Sequence, residues 1–298
     1  MPFATAPRQH LPTLAVLCSL VSVTSGASLA KGLFSAIGPI GTTTLRLCLA
    51  APLLLFAMRS WRVRPDAAAW RAALAYGLVM AAMNLMFYLA IERIPLGIAI
   101  ALEFTGPLTV AIFHSRHRRD LLWVAFAVLG LALLIPRSSA GHAVELTGVA
   151  FALGAGVMWG TYILVGQRVG ASLGSQGAAF GLMVAAIAVL PVGLAFEPRL
   201  YSALWSADLT LPMAGTALGM AVLSSALPYT LEMYALRHIP ARSFGILMSG
   251  EPAVGALMGL ALLGEQLNFT QWLGITAVIV ASLGTSLADP HAEPLPPT

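Results

Sequence analysis

Residues 176–196 read QGAAFGLMVAAIAVLPVGLAF, a run without a single charged side chain. At 1.5 Å per residue, a helix of this length crosses about 30 Å, the hydrocarbon thickness of a bilayer. The run is continuous and lacks the alternation of a lipid-facing β-strand. It predicts a transmembrane helix.

The rest of the chain is of the same kind. Of 298 residues, 58% are hydrophobic and 9% charged, with a mean hydropathy of +0.86; a soluble domain carries roughly 25% charged residues. Too few charges remain to coat a surface against water, which excludes a soluble enzyme, a nucleic-acid-binding protein and a disordered chain. Cutting at charged and turn-forming clusters gives ten apolar segments: Leu14 to Phe34, Pro39 to Met58, Ala72 to Ile91, Leu96 to His114, Leu121 to Ile135, Leu146 to Gln167, Gln176 to Phe196, Thr210 to Tyr234, Ala241 to Leu263 and Gln271 to Leu287. The expected fold class is an all-α integral membrane protein with ten transmembrane helices in the lipid bilayer. Arg8, the first apolar run and Ser25-Gly26-Ala27 imitate a signal peptide, but the run exceeds the roughly 7–15 residues of a signal core.

Orientation follows from the basic residues, since the net charge of +4 is read as topology rather than as affinity for nucleic acid. With the N-terminus inside, eleven fall on the cytoplasmic side (Arg8, Arg59, Arg62, Arg64, Arg71, Arg116, Arg118, Arg119, Arg168, Arg237 and Arg242) and four outside (Lys31, Arg93, Arg137 and Arg199). Both termini are therefore expected in the cytoplasm.

Two stretches correspond at an offset of 145: Ile94-Pro95 with Ile239-Pro240, and Gly106-Pro107 with Glu251-Pro252. Each half then holds five spans, and five being odd, the second half is inverted. The expected organisation is a cytoplasmic N-terminus at 1–13, a first five-helix repeat at 14–136, an external connector at 137–145, an inverted second repeat at 146–288, and a disordered cytoplasmic tail at 289–298. Inverted repeats with a binding site between them near the midplane are a design of secondary transporters. Recurrence of Ile-Pro by chance is the alternative.

Proline in mid-helix frees a carbonyl, so Pro107 and Pro252 are candidate helix breaks facing a cavity. Pro52, Pro191 and Pro228 are expected to be ordinary kinks. A charge at the bilayer centre costs at least about 2.5 kcal/mol, so each one needs a reason. Glu103 and Glu251 lie roughly 12 and 15 Å into spans four and nine, and Arg46 reaches a similar depth in span two. One reading makes Glu103 or Glu251 a proton exchanger and Arg46 the attractor of a carboxylate; the other pairs Arg46 with Glu103 as a packing ion pair. Glu232, five residues before Arg237, is expected to reach inner water. Asn84, Tyr88, Trp159, Tyr162 and Tyr229, with Gln167, are the remaining candidates to face a cavity. Gly156/Gly160, Gly215/Gly219 and Gly255/Gly259 are read as allowing close helix approach.

Other chemistry is not indicated. Cys18 and Cys48 sit in apolar spans without ligand spacing, and no His pair has zinc spacing. The single lysine, Lys31, belongs to no Walker A motif. Gly170-Ala171-Ser172-Leu173-Gly174 matches a nucleophile elbow, but it is expected in a short loop with no strand before it. No catalytic residue, metal or cofactor is expected.

Several stretches resemble a known family: Gly26-Ala27-Ser28-Leu29-Ala30-Lys31, Ala101-Leu102-Glu103-Phe104-Thr105-Gly106-Pro107-Leu108, Tyr162-Ile163-Leu164-Val165-Gly166-Gln167-Arg168, Ala226-Leu227-Pro228-Tyr229-Thr230-Leu231-Glu232-Met233, and Phe244 through Ala253 with its Glu251-Pro252. Together they are similar to the drug/metabolite transporter superfamily with paired EamA-type domains, and within it to exporters of threonine and homoserine. The resemblance covers nearly the whole chain. It implies a multi-pass protein of the bacterial inner membrane that exports small amino acids in exchange for protons, with a homodimer kept open. Other metabolites, purines or drug-like analogues are the alternative cargo, and a non-transporting sensor or assembly subunit is the alternative of another class. Fold alone does not choose between them.

Overall fold

The computed structural model describes residues 11–114, 120–134, 145–174, 176–205, 211–236, 238, 244 and 247–288. The expected tail and almost all of the expected external connector lie outside them. The described chain is helical: α1 (Leu11–Gly32), α2 (Phe34–Ala57), a 3-10 turn (Ser60–Arg62), α3 (Ala67–Arg93), α4 (Leu96–Glu103), α5 (Thr105–His114), α6 (Asp120–Leu134), α7 (Leu146–Leu173), α8 (Gln176–Phe196) and α9 (Pro198–Trp205), then α10 (Leu211–Ala221), a π turn (Val222–Ala226), α11 (Leu227–Leu236), α12 (Glu251–Leu263) and α13 (Phe269–Ala288). Six stretches are long and apolar enough to cross a membrane: α1, α2, α3, α7, α8 and Ala214–Glu232. Four shorter apolar helices, Leu96–Val110, Leu122–Leu134, Glu251–Leu263 and Phe269–Gly284, pack among them. Large apolar side chains such as Phe56, Leu146 and Ile187 stay exposed on the outer helix faces, as lipid rather than water requires.

Local chemistry sets the helix ends. Asp66 caps α3 by accepting the Ala69 N–H at 2.7 Å. Ile94 is extended ahead of Pro95, whose ring disfavours a helical residue before it, and α4 restarts at Leu96. Gly264, at φ 67°, terminates α12 in the left-handed region. Asn268 and Gln271 then exchange reciprocal bonds of 2.9 Å, a capping box that opens α13. Within α2, Thr42, Thr43 and Thr44 are fully buried, and each hydroxyl donates to the carbonyl four residues back, so no donor is lost in hydrocarbon.

Span two differs from its expected start at Pro39. It begins at Phe34 and bends at Gly38, whose φ of 66° and ψ of 169° lie outside the helical region. A Cβ at Gly38 would collide with the Glu197 carboxylate, which is folded against the bend. Burial pushes the Glu197 carboxyl above the ordinary carboxylate range, with Arg199 opposing the shift and Glu92 adding to it. A proton held more tightly in the folded state stabilises the fold below that raised value, and the contribution is lost as pH rises through it.

Helices from the two halves interleave. α1 packs on α11 and α12, α7 packs on α3, α4 and α5, α2 packs on α8, α4 on α12, and α6 on α13. Glycine permits the closest approach. A Cβ at Gly106 would strike the Gly156 carbonyl, and one at Gly156 would lie 2.8 Å from the Glu103 carbonyl. Gly156/Gly160 and Gly255/Gly259 therefore make the contacts expected of them, whereas a Cβ at Gly215 or Gly219 meets nothing within 4 Å among the described residues. Because backbone blocks the space at Gly106, Gly106→Val is expected to destabilise the protein by about 3 kcal/mol, the upper end of typical overpacking costs. Lower yield from membranes and a lower unfolding temperature in detergent would show it; wild-type values would contradict it.

Candidate functional site

The interleaved helices enclose a cavity of about 210 Å³. Pockets for drug-sized ligands run roughly 300–1,000 Å³, so this one suits a smaller molecule. Both halves of the chain supply its wall. α1 gives Val23, Thr24 and Ala27; α2 gives Arg46; α3 gives Met83, Asn84, Phe87 and Tyr88; α4 gives Ile100 and Glu103; α7 gives Trp159 and Tyr162. The π turn, α11 and α12 add Ser224, Pro228, Glu232 and Glu251, with Met248 beside them.

Arg46 is the cation of this wall, and it is held on several sides. Its Nη2 donates to Asn84 Oδ1 and its Nη1 to Ser224 Oγ at 3.3 Å, while its Cζ lies 4.9 Å from the centroid of the Tyr88 ring. Each holder is itself anchored: Asn84 Nδ2 donates to the Met80 carbonyl at 2.8 Å, and Ser224 Oγ donates to the Met220 carbonyl at 2.6 Å. The guanidinium is thus a fixed fork over an aromatic face. Its Nε is buried without a hydrogen-bond partner among the described residues, as are Tyr88 Oη and Glu251 Oε2. Buried polar atoms are normally satisfied, so two unpaired donors and an unpaired acceptor on residues that line one cavity make these side chains the candidates for a polar ligand.

The Arg46–Glu103 packing ion pair is not formed. Among the described residues Arg46 has no carboxylate within 4.0 Å, because Asn84 and Ser224 occupy its fork. Glu103 ends α4 and Glu251 begins α12, at the positive end of that helix's dipole. The candidate helix breaks sit slightly off their expected positions. Phe104 interrupts the helix ahead of Pro107, and Pro107 cannot donate to the carbonyl of Glu103 four residues back. Pro252 does not interrupt a helix; it occupies the first turn of α12, where a missing N–H costs nothing, and the break lies before it.

Residues 146–287 match the EamA-like transporter family. Over 277 residues, 93% of this chain and 92% of the relative, the sequence is 48% identical to the threonine/homoserine exporter RhtA of Salmonella typhimurium (strain LT2). The chain belongs to the EamA-like transporter family. It is likewise 46% identical to RhtA of Escherichia coli (strain K12) over the same shares, and 27% identical to the uncharacterized transporter YwfM of Bacillus subtilis (strain 168) over 74% of each chain. A solved crystal structure covering 93% of this EamA-like transporter and 98% of its own chain superposes with a TM-score of 0.61 at 18% identity, a likeness of fold alone. The protein is a multi-pass membrane transporter and not an enzyme.

Within this EamA-like transporter, seven of the nine residues singled out from sequence, Arg46, Asn84, Tyr88, Glu103, Trp159, Tyr162 and Glu251, line this cavity, and Gln167 is not among its lining residues. The side chain of Tyr229 lies outside the described residues. Glu232 does not turn to inner water; it lines the cavity and accepts the Ser19 hydroxyl at 2.5 Å. Pro228 is more than a kink, since it follows the π turn and lines the cavity beside Ser224. Its ring would press on the Ser224 carbonyl four residues back, and the wider π turn relieves that clash while aiming Ser224 at Arg46. The mid-span Ser224-Ser225 ahead of a proline was the available signal. Ser172 is not in a loop: it lies in the last turn of α7, where its hydroxyl donates to the Arg168 and Val169 carbonyls. No group of three metal-binding side chains occurs among the described residues.

Proposed function

We propose that this transporter exports small neutral amino acids of the threonine and homoserine type across the bacterial inner membrane, in exchange for protons and by alternating access. The observation that carries this reading is the pairing, around one small cavity, of a fixed guanidinium with Glu103, Glu232 and Glu251. A zwitterion needs a donor for its carboxylate and an anion for its ammonium group, which Arg46 with its unpaired Nε and the cavity's carboxylates offer. Three carboxylates exceed one guanidinium, so the cavity has room to hold protons as well as a substrate. Trp159, braced edge-on by Phe104 at 5.4 Å, with Met83, Phe87 and Ile100, walls off long side chains. The two relatives that carry the exporter name point to the same cargo.

Alternating access follows if the helices form two inverted sets of five, with both termini cytoplasmic. The packing supports such an exchange symmetry. Swapping the halves sends α1 to α7, α3 to α11 and α5 to α12, so the α1/α11 contact maps onto α7/α3, and the α1/α12 contact onto α7/α5. The pairs α2/α8 and α6/α13 map onto themselves.

At one end of α1, Lys31 Nζ meets Glu265 Oε1 at 2.6 Å, and Glu265 Oε2 accepts the orphan Leu96 N–H at 2.8 Å. This clasp joins three cavity-lining elements on the side assigned to the exterior. Glu265→Gln is expected to raise labelling of Ala27→Cys by an external impermeant thiol reagent roughly tenfold, the value of one half-buried charged bond, in a chain with Cys18 and Cys48 replaced by Ser. Unchanged labelling would deny the clasp a gating role.

The test of the function is counterflow in proteoliposomes. Labelled threonine and homoserine should accumulate transiently in vesicles preloaded with unlabelled threonine. Accumulation of purines or drug-like analogues instead would move the assignment to other cargo, and none at all would indicate a non-transporting subunit.

A further inference from the structure

Of the three carboxylates that line the cavity, Glu232 is the one held, among the described residues, by a side chain of another helix. Ser19 is fully buried on α1, and its hydroxyl donates to Glu232 Oε1 at 2.5 Å across 213 residues of chain. Two more contacts continue along the same face of α1. Ser22 Oγ donates to the Leu223 carbonyl of the π turn at 2.7 Å, and Gly26 lacks the Cβ that would press within 3 Å of the Ser224 backbone. Residues 19, 22 and 26 stack on one helix face. α1 is thereby seamed to the π turn and α11, and the Glu232 side chain is held in one orientation against the cavity.

The acids around the cavity are consequently unequal. Glu232 accepts a neutral donor on one oxygen and takes no hydrogen bond on the other from any described residue. A carboxylate with one oxygen already accepting and the other open is arranged to bind a second donor, and an ammonium group is the donor that fits. Glu251 has one buried oxygen facing no donor, where a proton supplies its own O–H. The other titratable and charged groups facing this space are Arg46, Glu103, Tyr88 and Tyr162, with Thr24 beside them; Thr24 is engaged with the Leu20 carbonyl at 2.7 Å, and Arg46 with Asn84 and Ser224.

We propose that Glu232, oriented by Ser19, binds the ammonium group of the transported amino acid, which leaves Glu251 to carry the exchanged proton. This rests on the reading of the protein as an amino-acid exporter. It assigns Glu232 as a binding residue and Ser19 as a positioning residue.

The experiment is threonine counterflow with the full chain in proteoliposomes, in competition with 2,3-dihydroxybutanoate, which replaces the ammonium group by a hydroxyl. Glu232→Gln is expected to raise the half-saturating threonine concentration roughly tenfold or more, the loss of one charge-assisted bond, with the maximal rate and its pH profile within about twofold of wild type. Its preference for threonine over the hydroxy analogue should collapse. Ser19→Ala should raise half-saturation roughly threefold and Ser19→Thr restore it, a pair that still decides the matter if Glu232→Gln fails to fold. Wild-type affinity and preference in Glu232→Gln, or in Ser19→Ala, would overturn the assignment while leaving the exporter reading intact. Absence of threonine counterflow in the wild type would instead overturn the exporter reading and this assignment with it.

Discussion

Glu251→Gln is expected to reduce proton-driven threonine export to the background of empty vesicles while the protein still reaches the membrane. The two side chains have nearly the same shape, and Glu251 begins α12 with a side-chain oxygen that no described residue bonds. An amide there preserves packing against neighbouring helices but cannot take up and release a proton at neutral pH. Two measurements separate coupling from folding: the amount of variant recovered from membranes, expected near wild type, and export driven by a proton gradient, expected lost. Normal export by the variant would remove Glu251 from the mechanism.

Arg46→Ala carries the second large effect. The guanidinium is fixed by Asn84 and Ser224 over the Tyr88 ring, and its Nε is buried with no hydrogen-bond partner among the described residues. Losing a charged donor to a substrate carboxylate in a site shielded from water costs on the order of 3 kcal/mol, roughly a hundredfold in affinity. The loss should be confined to ligands with a free carboxylate, so that threonine amide competes equally well against wild type and variant. Arg46→Lys keeps the charge but cannot engage both holders and the ligand at once, and should recover only part of the affinity. Equal threonine affinity in Arg46→Ala would return Arg46 to a packing role.

Much of this site was legible in the sequence because hydrocarbon makes charge conspicuous. Arg46, Glu103 and Glu251 interrupt apolar runs, and the cost of burying them pointed to a shared polar space. Asn84, Tyr88, Trp159 and Tyr162 were legible for a weaker version of the same reason. Glu232 was not, because its distance in sequence from Arg237 suggested water, whereas the direction of α11 and the Ser19 hydroxyl turn it inward. A contact between residues 213 apart leaves no local trace. Helix ends were also hard to place. Apolar content runs from 241 to 263, but Pro252 fits a first turn better than a helix middle, and the described helix starts at Glu251. Gly38 and the π turn escaped for a similar reason: hydropathy measures which residues are apolar, and backbone irregularity leaves it unchanged. The Gly215/Gly219 pair has the right spacing for close approach, yet no described neighbour lies there, since spacing does not specify a partner.

In the proposed mechanism one cavity, with its guanidinium and three carboxylates, exchanges a small amino acid for protons. Internal pH in proteoliposomes loaded with threonine and a pH-sensitive dye tests it most directly. On dilution into threonine-free buffer with the membrane potential clamped, the interior should acidify as threonine leaves, an effect abolished by Glu251→Gln. Threonine efflux at full rate with no change of internal pH would contradict it.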